Sequence, residues 1–400
     1  NFWTDLVRIS LYILLPICVI AGLILISEGV PQNFNSYVHA ETLEGTIQTI
    51  AQGPMASQET IKMLGTNGGG FTNANSAHPY ENPTPLTHFL EMLLILLIPA
   101  AQIYYFGKSI GNIKHAWVIF SALTVLFVAG VILCAHAEAV GNLEWAKLGL
   151  TGGNWEGKEQ RFGIFSSALF SCTSTVVACG AVNCSLDSMT PIGGFIPMLN
   201  MQLTETIFGG VGAGLYSVIL YVLLAVFISG LIIGRTPEYL GKKIEAIDVK
   251  MIVLALLVYV FVVHAFTAWT CFSSWGVKAL GNSGPHGFSE ILYAFSSCAA
   301  NNGSSFAGLS TNTAPYNLIL AAAMLLGRFL VMAPVLALAG SMVQKKIHPK
   351  NAGTFPVSSL LFITLLVSVI LLIGALTFLP ALTMGPILEQ FFMMKGKLFP

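Results

Sequence analysis

Glycine, asparagine and hydroxyl residues are concentrated in one short stretch of an otherwise apolar chain, LGTNGGGFTNANSAHPYENPTP at residues 64–85. The stretch holds four glycines and four asparagines, which bury little apolar surface. Glycine reaches backbone conformations with positive φ at low cost, so several carbonyl groups of one short segment can turn the same way. Carbonyl oxygens in such an arrangement replace the hydration shell of an alkali cation. The residue types therefore favour a main-chain cation site.

Three stretches have the same order of parts: SQETIKMLGTNGGGFTNANS at 57–76, FGIFSSALFSCTSTVVACGAVNCS at 162–185 and HGFSEILYAFSSCAANNGSSFAGLS at 286–310. In all three, a mildly apolar segment precedes a cluster of Gly, Ser, Asn or Cys residues, called a glycine knot below. The leading segments of ~8–16 residues are too short to span a bilayer, and irregular backbone at membrane depth is tolerated where it lines an enclosed path. We therefore predict three re-entrant helices, each followed by a knot. Small-residue helix packing or a plain outer loop is the alternative for any single knot.

The composition predicts a membrane protein around these stretches. The 400 residues are 55% hydrophobic and 9% charged, with a mean hydropathy of +0.76, whereas soluble domains carry about 25% charged residues. The net charge of zero gives no indication of nucleic-acid binding. The seven cysteines show no metal-ligand spacing and are interpreted as small buried residues. Seven apolar windows approach the ~20 residues that a span requires, at about 6–28, 89–107, 116–137, 211–234, 251–272, 314–342 and 356–380.

The distribution of lysine and arginine predicts the orientation of these spans. The short connections carry most of the basic residues, as in TPEYLGKK at 236–243, and the long connections that contain the knots carry basic residues offset by glutamates. By the positive-inside rule the short connections are cytoplasmic. The chain is therefore expected to enter its first span from the cytoplasm and to end outside.

Four motifs together resemble one family: MLGTNGGGF, TPEYLGKK, GPHGFSE and NNGSSFAGL. They are similar to the potassium-binding A subunit of the bacterial Kdp potassium-transporting ATPase, within a superfamily of Trk/Ktr/HKT-like potassium transporters. The resemblance runs through essentially the whole chain. It implies a multi-pass protein of the bacterial inner membrane, with K⁺ as the transported ion and no other cofactor. It also implies three partners besides membrane lipids: a P-type ATPase catalytic subunit, a single-span accessory subunit and a small single-span peptide.

The resemblance also implies an all-α fold with a pseudo-fourfold arrangement of span–pore-helix–span units, like a tetrameric potassium channel. Three of the four units are present. Unit two occupies 1–107, unit three 108–250 with a glycine-broken second span, unit four 251–345, and a C-terminal transmembrane helix and tail occupy 346–400. We expect roughly 150 further residues upstream of Asn1, with the first unit and its own knot.

Carried over by resemblance, the family's selectivity-filter positions fall on three residues in each knot: Thr66, Asn67 and Gly68; Ala178, Cys179 and Gly180; Asn301, Asn302 and Gly303. A second set interrupts the apolar background and is interpreted as a gate or leak barrier beneath the filter, namely Glu205, Gly209, Gly210, Gly212 and Arg328. A charge at mid-span is costly unless it is paired or hydrated. We therefore predict that Arg328 and Glu205 share one gating segment, whereas small-residue helix packing is the alternative for the glycines.

The chain is expected to bind and translocate K⁺ without hydrolysing ATP. GGNWEGKE matches the start of a P-loop at 152–158, but Glu159 stands where Ser or Thr should bind magnesium, and no D-K-T-G phosphorylation segment is present. An intramembrane enzyme is disfavoured because His136 and His264 are isolated. His78, His88 and His286 are interpreted as wet residues near the knots. A self-sufficient, gradient-driven potassium transporter or channel of the same superfamily remains the alternative.

Overall fold

Seven helical segments within the described part of the chain are long and apolar enough to cross a membrane, and they match the seven predicted windows. The computed structural model describes residues 1–142, 145, 147–203, 206–349 and 355–397. The predicted all-α, multi-pass fold is confirmed. The seven segments are Phe2–Ser27, Pro85–Ser109, Ile113–Val140, Ala213–Ile233, Ala246–Phe272, Ala314–Gln344 and Leu360–Met394.

The helices are numbered here in chain order. Unit two contains α1 Phe2–Ile9, a π-helical turn Ser10–Leu14, α2 Leu15–Ser27, α3 Met55–Leu64, a short 3₁₀ turn Asn75–Ala77 and α4 Pro85–Ser109. Unit three contains α5 Ile113–Val140, α6 Gly163–Thr175, α7 Pro191–Gln202 and α8 Ala213–Ile233. Unit four contains α9 Ala246–Phe272, α10 Ser274–Val277, α11 Gly284–Ala300 and α12 Ala314–Gln344. The C-terminal span is formed by α13 Leu360–Leu382, a π-helical turn Thr383–Ile387 and α14 Leu388–Met394.

Three short helices occupy the positions predicted to be re-entrant. They are α3, α6 and α11, with 10, 13 and 17 residues. At about 1.5 Å of rise per residue, none reaches the ~30 Å of a bilayer core. They are called pore helices below.

The second span of unit three is broken into two helices, as the glycine-rich sequence predicts. Thr190 caps α7 by accepting a hydrogen bond from the N–H of Gly193, and Pro191 follows at the first helical position. The helix ends at Gln202, and α8 begins at Ala213. Gly212, the residue before α8, has a φ of 88°, which favours glycine.

Two small antiparallel hairpins lie in the connections. One pairs β1 Val38–Glu41 with β2 Ile47–Ile50 in the long connection of unit two, and the other pairs β3 Glu238–Tyr239 with β4 Lys242–Lys243. The second hairpin is anchored to α5, because the Tyr239 hydroxyl lies 2.8 Å from His115 Nε2.

Polar contacts hold the long connections of units two and three together. The guanidinium of Arg161 donates hydrogen bonds to the carbonyl oxygens of Ala77, Asn82 and Pro83 at 2.9, 2.8 and 3.1 Å. A charged donor fixes these three carbonyls of a neighbouring unit in one geometry. Arg161 therefore positions the return loop that follows the knot of unit two.

Candidate functional site

Each pore helix ends directly before its glycine knot. The helices end at Leu64, Thr175 and Ala300, within three residues of the first predicted filter position in each unit. A helix C-terminus carries a partial negative charge of roughly half an elementary charge. The three macrodipoles therefore favour a cation at the knots.

The three knots meet through their main chains. A Cβ atom added to Gly68 would lie 2.3 Å from the Cα of Gly180, and one added to Gly180 would lie 2.8 Å from the carbonyl oxygen of Asn302. The atoms nearest to a Cβ on Gly303 would be Gly180 Cα at 3.7 Å and the Asn67 carbonyl oxygen at 4.0 Å. The structure thus brings the predicted filter residues of units two, three and four to one place.

Backbone conformation also favours glycine or asparagine at several positions of the knots. Gly68 and Gly303 have φ values of 67° and 95°, and Asn301 adopts the left-handed conformation as the C-cap of α11. Thr66 has a φ of 54°, which is uncommon for a β-branched residue and is a strained position. The local sequence therefore fits the backbone at the glycines and is strained at Thr66.

Main-chain N–H groups in the knots have hydrogen-bond partners on the pore-helix side. The bonds join the N–H of Asn67 to the carbonyl of Lys62 at 2.9 Å, that of Cys179 to Val177 at 2.7 Å, and that of Asn302 to Ser297 at 2.9 Å. The side chain of Ser297 accepts from the N–H of Gly303 at 3.1 Å. These four N–H groups therefore have acceptors within the protein.

The carbonyl oxygens of the predicted filter residues, unlike these N–H groups, have no hydrogen-bond partner among the described residues. Across the described residues, no hydrogen bond ends on a carbonyl oxygen of the nine predicted filter residues, although Thr66, Asn302 and the whole unit-three knot are buried. The flanking carbonyls of Gly69, Val176 and Val177 do accept hydrogen bonds. Since over nine-tenths of buried main-chain polar groups are paired in native proteins, a set of unused carbonyls at one place can bind a cation.

The knot of unit four is held by neutral side chains. Asn302 Nδ2 donates to the carbonyl oxygens of Ser174 and Val177, at 3.1 and 2.8 Å, at the end of the unit-three pore helix. Its Oδ1 accepts from the N–H and the hydroxyl of Ser304, at 3.0 and 2.5 Å. Asn302 therefore locks two knots to each other by its side chain while its main chain faces Gly180.

The predicted gating glycines lie at the end of the unit-three pore helix. The N–H of Gly209 donates a 3.1 Å hydrogen bond to the carbonyl oxygen of Val176, two residues before the first filter position. Phe208 and Gly209 have positive φ values of 64° and 66°, and the Gly210 carbonyl accepts from the N–H of Gly214 at 3.0 Å. Together with Gly212, these residues form the segment that leaves α7 and starts α8.

Arg328 is half-buried in α12 and lines a cavity of about 40 Å³. The same cavity is lined by Ala213 and Tyr216 of α8 and by Asn301 of the unit-four knot. The structure thus places Arg328 between the broken helix of unit three and a predicted filter residue. Glu205 lies outside the described residues, so its pairing with Arg328 stays a prediction.

A larger cavity opens on the other side of the knots. Its volume is about 680 Å³, and each of the three units contributes to its lining, with Asn73, Cys184, Glu290, Gly303 and Ser304 among the residues. A cavity of this size that reaches Gly303 is large enough to admit a hydrated ion to the knots.

The histidine predictions had mixed outcomes. His88 was predicted to be wet, which is wrong, because its ring is buried between Phe162 and Phe170 with centroid distances of 4.3 and 5.3 Å. His264 contacts the carbonyl of Val260 through Nδ1 at 2.9 Å and has no metal-like arrangement among the described residues. His286 lies between two carboxylates, with Nε2 at 2.8 Å from Asp187.

Sequence reasoning missed a charged cluster behind the knot of unit two. Glu59, Lys62, Glu81 and Glu91 are all buried, with side chains at most 2% exposed. The signals were the (i, i+3) spacing of Glu59 and Lys62 and a glutamate at the start of an apolar run. In the sequence these charges are indistinguishable from those of a solvated outer loop.

The P-loop match has a structural explanation that excludes a phosphate from its lysine. Lys158 is fully buried, and its Nζ lies 2.5 Å from Glu138 Oε2. Glu138 Oε1 accepts further hydrogen bonds from the N–H and hydroxyl of Thr190 at 2.8 and 2.7 Å. Lys158 therefore ties the outer connection of unit three to α5 and α7.

The fold and the site define a multi-pass membrane protein in which span–pore-helix–span units join their main chains at one oxygen-lined point. Residues 1–391 match the family KdpA, described as the potassium-transporting ATPase A subunit. The chain belongs to this family, as its motifs indicated.

Relatives from three bacteria agree with this assignment. Proteins named potassium-transporting ATPase potassium-binding subunit from Solibacter usitatus, Rhizobium rhizogenes and Rhodopseudomonas palustris are 55%, 56% and 55% identical to it. Each match covers 100% of this chain and 70% of the relative.

Proposed function

We propose that this chain is the potassium-binding and potassium-translocating subunit of an ATP-driven uptake complex. The observation that carries the proposal is the convergence of three knots, in which the carbonyl oxygens of the nine predicted filter residues accept no hydrogen bond within the described residues. Such oxygens can replace the hydration shell of K⁺, and the adjoining helix C-termini favour positive charge. The names of the relatives, which are potassium-binding subunits, support the same ion.

In this proposal the nine residues named above form a selectivity filter on the outer side of the membrane. A hydrated K⁺ reaches the knots through the 680 Å³ cavity and exchanges water for main-chain oxygens. The N–H groups of Asn67, Cys179 and Asn302 donate to other carbonyl groups, so these donors are not available to face the ion. The segment of Gly209, Gly210 and Gly212, with Glu205 and Arg328, would act as the barrier beneath it.

ATP hydrolysis belongs to partner subunits in this proposal. The names of the relatives refer to a potassium-transporting ATPase, and the only lysine of the P-loop match is buried in an ion pair. We propose a P-type ATPase catalytic subunit, a single-span accessory subunit and a small single-span peptide as partners. We propose that the complex lies in the inner membrane of a bacterium.

The test is the half-saturating K⁺ concentration for ATPase activity of the purified complex that carries Gly68→Ala, Gly180→Ala or Gly303→Ala. We expect each variant to raise this concentration at least about tenfold, equivalent to ~1.4 kcal/mol, and to admit Na⁺ or Rb⁺. Gly149→Ala is the matched control, because Gly149 has a similar φ of 83° but nothing within 4 Å of its added Cβ.

Unchanged half-saturation in all three variants, at normal complex yield, would exclude a filter at these knots. Potassium flux through the purified chain without any ATPase subunit would instead support the gradient-driven alternative.

A further inference from the structure

The buried charges behind unit two form a network centred on one ammonium group. Lys62 Nζ contacts Glu59 Oε1 at 2.7 Å, Asn75 Oδ1 at 2.9 Å and Glu81 Oε2 at 3.2 Å. An ammonium has three donors, so these three acceptors use all of them. Lys62 and both carboxylate side chains are at most 1% exposed. This arrangement is fully desolvated and geometrically fixed.

Two of the three partners of Lys62, Asn75 and Glu81, also contact the backbone just after Gly68. Asn75 Nδ2 donates to the Gly69 carbonyl at 2.6 Å. Glu81 Oε1 accepts from the N–H and the hydroxyl of Thr72 at 2.6 and 2.7 Å. A Cβ atom on Gly70 would lie 2.4 Å from Glu81 Oε2, so this carboxylate touches the glycine run itself.

The knot of unit two has a physical need for such support. Gly68 and Gly69 both have positive φ values, 67° and 82°, and Gly70 follows them. Three consecutive glycines lose more conformational entropy on ordering than any other tripeptide. Unless other groups hold this run, its carbonyls would not keep one direction.

Unit four meets the same need without charge. There Ser297 and Ser304 hold the knot through their hydroxyl groups, with Tyr293 at 2.8 Å from the Ser304 hydroxyl. Unit two thus uses a buried ion-pair network at the position where unit four uses neutral hydrogen bonds. Charged hydrogen bonds are shorter and stronger than neutral ones, which suits the knot with the most glycines.

We infer that Lys62, Glu81, Asn75 and Thr72 form a positioning brace that sets the geometry of the unit-two knot and thereby its discrimination between K⁺ and other cations. The brace acts on the backbone of residues 69, 70 and 72. None of its side chains has to touch the ion. This inference rests on the proposed filter function.

Glu91 supplies a matched control from the same cluster. It is fully buried, but neither of its side-chain oxygens has a hydrogen-bond partner that the structure describes. Glu91→Gln keeps the shape and removes no hydrogen bond, whereas Glu81→Gln removes the charge that faces Lys62 and Thr72. If any change of a buried glutamate in this cluster had the same effect, the two substitutions would act alike.

The experiment compares Glu81→Gln, Thr72→Val, Thr72→Ser and Glu91→Gln in the purified, full-length complex, with ATPase activity measured against K⁺ and Rb⁺. We expect Glu81→Gln to raise half-saturating K⁺ about tenfold and to lower the preference for K⁺ over Rb⁺, with the rate at saturating K⁺ retained. Thr72→Val should shift both quantities in the same direction, because it removes one hydrogen bond of the brace. Thr72→Ser keeps the hydroxyl group, so half-saturating K⁺ and the preference for K⁺ over Rb⁺ should stay at their wild-type values. Glu91→Gln should also leave both quantities unchanged.

The outcomes separate the brace from the filter. If the variants at Gly68, Gly180 and Gly303 change selectivity but Glu81→Gln and Thr72→Val do not, the brace is wrong and the filter stands. If neither the glycine variants nor the brace variants change selectivity, the proposed filter itself is wrong. Reduced yield of Glu81→Gln with unchanged selectivity in Thr72→Val would mean that the network is only structural, and would also overturn the inference.

Discussion

The N–H of Gly209 donates a hydrogen bond to the carbonyl oxygen of Val176, with the two atoms 3.1 Å apart. Val176 is the C-cap of the unit-three pore helix, and Gly209 lies in the break between α7 and α8. One bond therefore joins the broken span to the end of the helix that precedes the proposed filter residues Ala178, Cys179 and Gly180. Through this bond, a movement of the broken segment would act directly on the end of that helix and on the proposed filter.

The packing of this segment gives the first prediction. A Cβ atom on Gly214 would lie 2.2 Å from the Phe208 carbonyl oxygen and 2.6 Å from the Gly209 Cα. Gly214→Ala must therefore displace the segment, and we expect at least a severalfold change in potassium flux through the complex in vesicles. Half-saturating K⁺ should change much less than flux, because the knots themselves keep their sequence.

Gly340→Ala is the control for this prediction, since nothing lies within 4 Å of its added Cβ. Flux equal to that of the wild type in Gly214→Ala, at normal expression, would show that the segment does not limit ion movement.

The sequence predicts the spans and pore helices well because these depend on local properties. An apolar run of sufficient length must be helical in a bilayer, since its backbone has no other hydrogen-bond partners. The break before Ala213 was also visible, because glycines interrupt the run at Gly209, Gly210 and Gly212. These features need no knowledge of distant contacts.

The support of the knots was not predictable, because it depends on pairs that are distant along the chain. Lys62 and Glu81 are 19 residues apart, and Asn302 reaches Val177 across 125 residues. Burial decides whether a charge is a solvated anchor or a structural centre, and burial is a property of the assembled fold. The error at His88 has the same cause, because Phe162 and Phe170 come from a different unit.

A second prediction concerns pH. Burial alone would lower the pKa of His286, but its hydrogen bonds with Asp187 and Glu389, at 2.8 and 2.7 Å, raise this pKa to about 10. The ordinary value is 6.5, so the folded protein binds this proton more tightly than the unfolded chain. The stabilisation is therefore complete below about pH 6.5 and is lost as the pH rises through about 10.

His286→Gln removes this charged link between α11 and α14. We expect a loss of about 1.5–3 kcal/mol of stability at pH 7, the usual range for a hydrogen bond to a charged group. The difference between variant and wild type should shrink as the pH is raised from 7 to 10. Thermal unfolding of the purified protein at several pH values measures this stability difference. The control is His348→Gln, because His348 is exposed. A difference that is constant across this range would show that His286 is neutral in the folded protein.

The last prediction concerns Arg328 and Glu205. Arg328 is half-buried in α12 and shares a cavity with Ala213, Tyr216 and Asn301, so it lies next to both the broken span and the unit-four knot. A fixed positive charge there would repel a cation that moves straight toward the cytoplasm. The guanidinium also needs a hydrogen-bond acceptor, and we predict that this acceptor is Glu205, which precedes the gating glycines in the sequence. Arg328→Gln should increase potassium leak through the complex, and Arg328→Lys should keep the barrier at least in part.

If Glu205 is the partner, Glu205→Gln and the double variant should give non-additive effects on leak, because the second substitution removes an interaction already lost. Strictly additive effects would separate the two residues and leave Arg328 as a barrier that acts alone, and wild-type leak in Arg328→Gln would remove it from the barrier altogether.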